Sequence, residues 1–295
     1  MIKKNKKSKI VVWGGSGFIG SHVCDFLSKK GYKVLIADKT KSQWLKKNQS
    51  MFIGDINNYD DVKKSIVGAS YIFNFAGLSD IETSNKNPID TIKQNLFGNL
   101  NILDASKKNK IKKYIFASTI YVYSNSGGFY KCSKQASEIF VKQYQREYGL
   151  NYNILRFGTV YGTRAGGTNA VYRYIKNNLH NKRTIINGES SILREYINAK
   201  DVACICEKII DQKFDNQTFI VTGQNQTRIS DLLKMISEIS GKKNNIKFNK
   251  NSKNLHYSMT PYSLEDNTSK KIVSNIYTDI GQGILEIMKS IKYKK

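Results

Sequence analysis

The first half of the chain alternates short apolar runs with longer amphipathic stretches. KIVVWGG is followed by the helix-like SHVCDFLSKKG and by YKVLIAD, and then come SMFIGDI, YDDVKKSIVG and ASYIFNFAG. A long periodic stretch near 89–108 precedes KKYIFAST, another helical pattern covers Ser133–Tyr148, and LNYNILRFG closes the series. Continuous apolar strands separated by helices predict βαβ units and a parallel sheet covered by helices. The predicted fold class is therefore α/β, a doubly wound parallel sheet. From about Gly162 the regularity weakens, and the mixed segments beyond it predict a smaller C-terminal lobe.

Composition refines this only slightly. The 295 residues are 40% hydrophobic and 11% aromatic, enough for a large core. No apolar run is long enough to insert in a membrane. The opening MIKKNKKSKIVVWGG runs straight into a glycine-rich turn, and is read as a tail leading into a first strand, not as a signal peptide. Four cysteines without a C-x-x-C pair or a nearby His cluster predict neither a disulfide framework nor a metal site, and point to the reducing cytoplasm. The net charge of +25 comes almost entirely from Lys spread along the chain, with only seven Arg. It reads as a solvated surface, so no specific nucleic acid is expected as a partner.

The glycines carry the first chemistry. Gly14-Gly15-Ser16-Gly17-Phe18-Ile19-Gly20 lies between an apolar strand and an amphipathic helix. Gly14 permits a tight turn, Gly17 lets the backbone approach a pyrophosphate, and Gly20 allows close helix–strand packing. The helix N-terminus offers N–H groups and a positive dipole end to the phosphates. Asp38 ends the second strand, where a carboxylate accepts from the adenosine ribose hydroxyls and repels a 2′-phosphate, so NAD is the expected cofactor. The sheet is then of the Rossmann type. Residues 1–161, completed by about 195–223, are expected to bind NAD, with 162–194 and 224–295 forming the substrate-binding lobe.

Four Tyr-x-x-x-Lys pairs occur: Tyr59/Lys63, Tyr130/Lys134, Tyr172/Lys176 and Tyr196/Lys200. About two or three such matches arise by chance in so Tyr- and Lys-rich a chain, so the spacing alone selects none of them. Their context does. The chain resembles the extended short-chain dehydrogenase/reductase family, the NAD-dependent nucleotide-sugar epimerases, dehydratases, decarboxylases and reductases, in a UDP-glucose 4-epimerase-like form. GGSGFIG matches the family's glycine motif, Asp55-Ile56 its adenine-side Asp-Ile, and Phe75-Ala76-Gly77-Leu78 its strand end beside the cofactor. Asn95 in NLFGNLNIL resembles the Asn of its N-x-x-G-x-x-N-L-L helix, and FASTIYVYS the strand carrying the catalytic Ser or Thr, here Thr119. ILRFGTVYGTR and REYINAKDVA are similar to two later family segments.

The resemblance implies that Tyr130 and Lys134, opening the helix after the Thr119 strand, form the catalytic pair with Thr119. An unperturbed Tyr is a poor base at neutral pH. A neighbouring ammonium and the positive nicotinamide ring favour its phenolate. Tyr130 then takes a proton from a sugar hydroxyl while hydride leaves the same carbon, Lys134 also binds the nicotinamide ribose, and Thr119 holds the reacting oxygen. Dehydratases of the family carry Asp-Glu, and decarboxylases a Glu, directly after the catalytic Thr. Ile120 and Tyr121 stand here, so redox at a sugar carbon remains: epimerisation at C4 through a transient keto intermediate, or net oxidation or reduction by a 4-dehydrogenase or 4-reductase. A non-catalytic dinucleotide- or RNA-binding relative is the third reading.

For the substrate, a nucleotide-diphosphate sugar, Arg194 resembles the diphosphate-binding Arg, and Asn169 an Asn that supports the diphosphate. Thr159 stands where many relatives have a substrate-contacting Asn, and Ser79 where UDP-glucose 4-epimerase has a Lys. Arg164, Arg173 and Arg183 are possible helpers or solvated surface. Thr119 and Tyr130 are separated by fewer residues than in relatives, which predicts a more open or reshaped sugar pocket. A homodimer through helices near Pro88–Lys108 and Ser133–Tyr148 is implied by the resemblance alone.

Overall fold

The structure is a computed structural model that describes residues 8–249, 256–258, 260–261, 269–275 and 277–293. Strands β1 (Lys9–Trp13), β2 (Lys33–Asp38), β3 (Gln49–Ile53), β4 (Tyr71–Asn74), β5 (Lys113–Thr119) and β6 (Tyr152–Phe157) build the large sheet. They are connected by α1 (Phe18–Lys29), α2 (Tyr59–Ile66), α3 (Ile81–Lys86), α4 (Pro88–Ile92), α5 (Gly98–Lys108) and α6 (Gly128–Tyr148). After β7 (Thr159–Tyr161), α7 (Ala170–Leu179), β8 (Thr184–Asn187), β9 (Leu193–Asn198) and α8 (Ala199–Lys208), the chain returns to that sheet as β10 (Gln217–Val221). It ends with β11 (Gln226–Arg228), α9 (Ile229–Ser240), β12 (Ile246–Asn249), β13 (Lys270–Lys271) and α10 (Ile280–Lys292).

The large sheet has eight strands in the order β13-β10-β6-β5-β4-β1-β2-β3, and every pair is parallel. The strand order reverses between β1 and β4, which opens a crevice at their carboxyl ends, the usual ligand position in such sheets. Each face is closed by its own apolar layer. Val23, Cys24 and Leu27 of α1 pack with Val202, Ile205 and Cys206 of α8 on one side. Val62 and Ile66 of α2, Ile102 and Leu103 of α5 and Val141 of α6 cover the other. A third cluster joins α7, α9 and α10 around Tyr161, Ile175, Leu232 and Ile284, which makes the smaller lobe. Two short sheets, β11-β9-β7 and β12-β8, accompany that lobe. Strand β13, although it lies within the stretch expected to form the substrate lobe, pairs with β10 at the edge of the large sheet.

Local signals agree with this plan. Asn58 caps α2, its side chain accepting from the N–H groups of Asp60 and Asp61, and those two acids sit at the positive end of the helix dipole. The periodic stretch near 89–108 is interrupted by a π-helical turn over Lys93–Phe97, between α4 and α5. A π turn inside a helix rotates the side chains beyond it, and it places Asn95 in the interior. Among the described residues no helix is long and apolar enough to cross a membrane, and no group of His, Cys, Asp or Glu could hold a metal ion. All four cysteines are free thiols.

Candidate active site

The glycine turn sits at the crevice. Gly14, at φ +77°, donates to the Ala37 carbonyl at 2.9 Å, and a Cβ there would lie 2.6 Å from the backbone of Phe75 and Ala76. A Cβ on Gly20 would meet the Gly14 carbonyl at 2.3 Å. Helix α1 begins at Phe18 with no side chain capping it, so backbone and dipole face the cleft. This bare cradle fits a dinucleotide pyrophosphate. Asp38 buttresses it: one carboxylate oxygen accepts from Ser16 N–H at 3.1 Å and the other from Thr40 N–H at 3.2 Å.

A cleft of about 600 Å³ runs from this cradle, past Phe75 and Gly77, to Thr119, Tyr130 and Lys134, and on to Thr159, Asn169 and Arg194. That volume is typical of a cofactor or small-molecule site. Asp38, Asp55, Ile56, Ala76 and Asn95 do not line it. The Asp55 carboxylate accepts from Asn57 N–H at 2.8 Å in its own turn, and Ala76 N–H is held by Asn74 Oδ1 at 3.1 Å. Ile56 is a core residue packed against Gly98, because the α2–α5 layer has room for its side chain there. Asn95, expected at the cofactor, is engaged within the protein. Its amide bonds both the N–H and the carbonyl of Leu78, at 2.7 and 2.9 Å, and also Ser133 Oγ at 2.9 Å. It thereby fixes the loop after β4 to α6, and Gly77, at φ +147°, leaves room for it.

Thr119 is the last residue of β5, and Tyr130 and Lys134 lie one turn apart at the start of α6. All three are buried. Loss of water pushes the Tyr130 phenol up to about 12, opposed by a hydrogen bond with Thr119. Burial lowers the Lys134 ammonium to about 8, opposed by Glu138. The expected charge effect of Lys134 on Tyr130 is absent from this geometry. The ammonium donates instead to the Ala117 carbonyl at 2.8 Å and lies over the Phe116 ring at 4.7 Å.

Beneath this trio is a buried ion pair that the sequence reading missed. Arg156 of β6 donates to both carboxylate oxygens of Glu138, from Nε at 3.0 Å and Nη2 at 2.6 Å. Ser118 Oγ donates to the same carboxylate at 2.5 Å. Glu138 follows Lys134 by four residues and so shares its helix face, the one signal available in the sequence.

At the substrate end, the Arg194 guanidinium stacks on the Tyr257 ring, 4.1 Å from its centroid. It donates to the Leu193 carbonyl at 2.8 Å and to the Tyr257 carbonyl. Asn169 caps α7, accepting from Tyr172 N–H at 3.1 Å and donating to the Val160 carbonyl at 2.8 Å. Thr159 Oγ1 lies 3.5 Å from Tyr257 Oη. Arg173 also lines the cleft, whereas Arg183 is exposed elsewhere and Arg164 pairs with Asp25 at 2.7 Å, outside it. The short connection after Thr119 makes a 3₁₀ turn, Ile120–Tyr123, and His256 and Tyr257 line the cleft beside it. His256 Nδ1 and Tyr121 Oη are 2.5 Å apart, and the Tyr257 ring packs on Tyr121 at 4.9 Å. Of the other Tyr/Lys pairs, Tyr59 bonds Asp104 outside the cleft, Tyr172 lies on α7, and Tyr196 packs edge-on against Tyr161.

Comparison with known proteins agrees with this arrangement. The chain is 28% identical to a putative UDP-glucose 4-epimerase of Methanocaldococcus jannaschii over 79% of its own length and 82% of that protein. It is 26% identical to the UDP-glucuronate 4-epimerase of Thermodesulfobacterium geofontis over 79% and 81% of the two chains. The fold superposes on UDP-glucose 4-epimerase of Thermotoga maritima, solved with UDP-glucose, with a TM-score of 0.82, 25% identity and coverage of 96% and 98%. UDP-glucuronic acid 4-epimerase of Bacillus cereus, solved with UDP-glucuronic acid and NAD, has the same fold, with a TM-score of 0.85, 24% identity and coverage of 96% and 99%. Residues 10–222 match the NAD dependent epimerase/dehydratase family, and the chain belongs to it.

Proposed function

We propose that the protein is an NAD-dependent nucleotide-sugar 4-epimerase with Thr119, Tyr130 and Lys134 as its catalytic residues. The observation that carries this reading is the cleft itself. It joins a dinucleotide cradle to a buried Thr–Tyr–Lys trio, and no carboxylate follows Thr119 to drive elimination. The relatives, which include UDP-glucose and UDP-glucuronate 4-epimerases, favour epimerisation over net oxidation or reduction.

Bound at Gly14, Gly17, Phe18, Ile19 and Gly20, with Asp38 behind them, NAD supplies a hydride acceptor that can also return the hydride. Phe75 and Gly77 line the cleft that would hold it, and the Asp55–Ile56 segment would act on the adenine side only from behind that lining. Tyr130 receives the proton of the reacting hydroxyl, and Thr119 holds the same oxygen. The Lys134 ammonium would fix the ribose, and the positive nicotinamide ring beside Tyr130 would lower its phenol from about 12 towards the working range. Inversion requires that the planar keto carbon present its other face before Tyr130 returns the proton. Arg194, with Arg173, takes the diphosphate, an anion suited to guanidinium donors. Asn169 and Thr159 shape that end.

Residues 1–161 and about 195–223 form the cofactor half in this reading, with β13 added at the edge of its sheet, and 162–194 with the rest of 224–295 are the substrate lobe. A homodimer through the 88–108 helices and α6 is supported by exposed apolar side chains there, Ile89, Phe97, Ile139 and Phe140. Four free thiols suit the cytoplasm. Proton NMR of the purified protein with a panel of UDP-sugars, with and without added NAD, tests the function. A C4 epimer without accumulated NADH supports epimerisation, while a keto sugar formed with NADH supports the dehydrogenase.

A further inference from the structure

We infer that Asn85 of α3 is a positioning residue for the reaction: its amide oxygen caps α6 from outside that helix and so holds Tyr130 against Thr119. This rests on the proton-transfer role proposed for Tyr130 and adds a residue that acts through it. The first N–H groups of a helix have no partner within the helix. A Ser, Thr, Asp or Asn just before the helix usually supplies the acceptor. In α6 that position is Gly127, at φ +100°, which has no side chain to offer. Asn85 Oδ1 takes its place, accepting from Phe129 N–H at 3.1 Å, one residue before Tyr130. Gly128, at φ +49°, gives the amide its room, since a Cβ there would overlap it.

The cap is itself held in place. Asp80 caps α3, accepting from Thr83 N–H at 2.8 Å and from Thr83 Oγ1 at 2.6 Å. The Ser84 carbonyl, next to Asn85, accepts from Thr91 Oγ1 of α4 at 3.3 Å. Tyr130 lies in the turn that Asn85 caps, and its phenol hydrogen-bonds with Thr119. Lys134 lies one turn further in and has other supports. Asn95 donates to Ser133 Oγ at 2.9 Å, and the Lys134 ammonium donates to the Ala117 carbonyl at 2.8 Å. Loss of the Asn85 oxygen therefore loosens Tyr130 and leaves Lys134 where it is. A shift of about 1 Å in a reacting group can cost about 10²-fold in rate, so the effect falls on proton transfer and spares the binding of cofactor and sugar.

The test compares Asn85→Ala and Asn85→Asp with the unaltered protein, each loaded with NAD. The first removes the acceptor; the second keeps it and adds a negative charge at the positive end of the helix dipole. Steady-state kinetics use the UDP-sugar that turns over in the NMR panel. Asn85→Ala should lower kcat by about 10–10²-fold with KM and bound NAD unchanged, and Asn85→Asp should restore kcat to within about threefold. Hydrogen exchange of the peptide over residues 127–133, read by mass spectrometry, should quicken in Asn85→Ala and slow again in Asn85→Asp. An unchanged kcat in Asn85→Ala, a loss of bound NAD together with kcat, or no recovery in Asn85→Asp overturns the positioning role and leaves the epimerase reading standing. Should the unaltered protein turn over no UDP-sugar, the epimerase reading fails and exchange alone decides the cap. Faster exchange in Asn85→Ala that Asn85→Asp reverses upholds it, and unchanged exchange overturns it.

Discussion

Replacing Glu138 by Gln removes one negative charge from beneath the catalytic trio at almost constant shape. In the native protein that carboxylate takes two guanidinium bonds from Arg156, at 3.0 and 2.6 Å, and one from Ser118 at 2.5 Å. Both partners of the ion pair are nearly inaccessible, 5% exposed for Glu138 and 8% for Arg156. Breaking a buried pair from one side strands the other charge at a cost of about 3–5 kcal/mol, and Gln, which keeps one acceptor oxygen, belongs at the low end. At about 2–4 °C per kcal/mol for a chain of this class, Tm should fall by about 6–12 °C. The same change acts on Lys134, whose ammonium Glu138 supports. Its pKa should fall further below about 8, so the alkaline limb of the pH–activity profile moves to lower pH. Circular dichroism melting and a pH series on Glu138→Gln check the two halves separately, with the exposed Glu147→Gln on the same helix as control. A Tm within about 1 °C of the native value would refute the reasoning.

Further outcomes follow from the same geometry. Tyr130→Phe should lower kcat by about 10²–10⁴-fold with KM for the UDP-sugar nearly unchanged, read by steady-state kinetics. Gly14→Ala forces a side chain onto the backbone of Phe75 and Ala76 at a positive φ, so the purified protein should lose bound NAD, measured by its absorbance after denaturation. Lys134 has its pKa lowered from 10.5 to about 8, so between those values the unfolded chain binds the extra proton and stability rises with pH. Lys134→Met should flatten that rise in urea titrations at about pH 8 and about pH 10, and abolish turnover. Ile139→Lys together with Phe97→Asp should convert the dimer to monomer in light scattering, and a native protein that is already monomeric would contradict the proposed interface.

The parts of the site written in local periodicity were legible in the sequence. The glycine spacing, the end of β5 at Thr119 and the helix turn from Tyr130 to Lys134 each depend on neighbours a few residues away. What escaped depends on tertiary packing. The π-helical turn that directs Asn95 onto Leu78 has no residue signature, so its position in a matching motif suggested a cofactor contact instead. The Glu138–Arg156 pair needs β6 to lie beside β5 beneath α6. Tyr257 reaches Thr159 across 98 residues and His256 reaches Tyr121 across 135, pairings that no window of sequence encodes. The short connection before Tyr130 was visible, and the lining of the same cleft by His256 and Tyr257 was not. The drop in pKa expected for Tyr130 from Lys134 assumed that neighbours four apart on a helix act on each other, but Lys134 is held by a strand carbonyl.

The central claim is that hydride leaves and returns to the same sugar carbon while Tyr130 handles the proton. UDP-glucose deuterated at C4, incubated with the NAD-loaded protein in ordinary water and followed by NMR, tests it directly. The account predicts a C4 epimer that retains its deuterium. Loss of the label to water, or its appearance in released NADH beside a keto sugar, would contradict it.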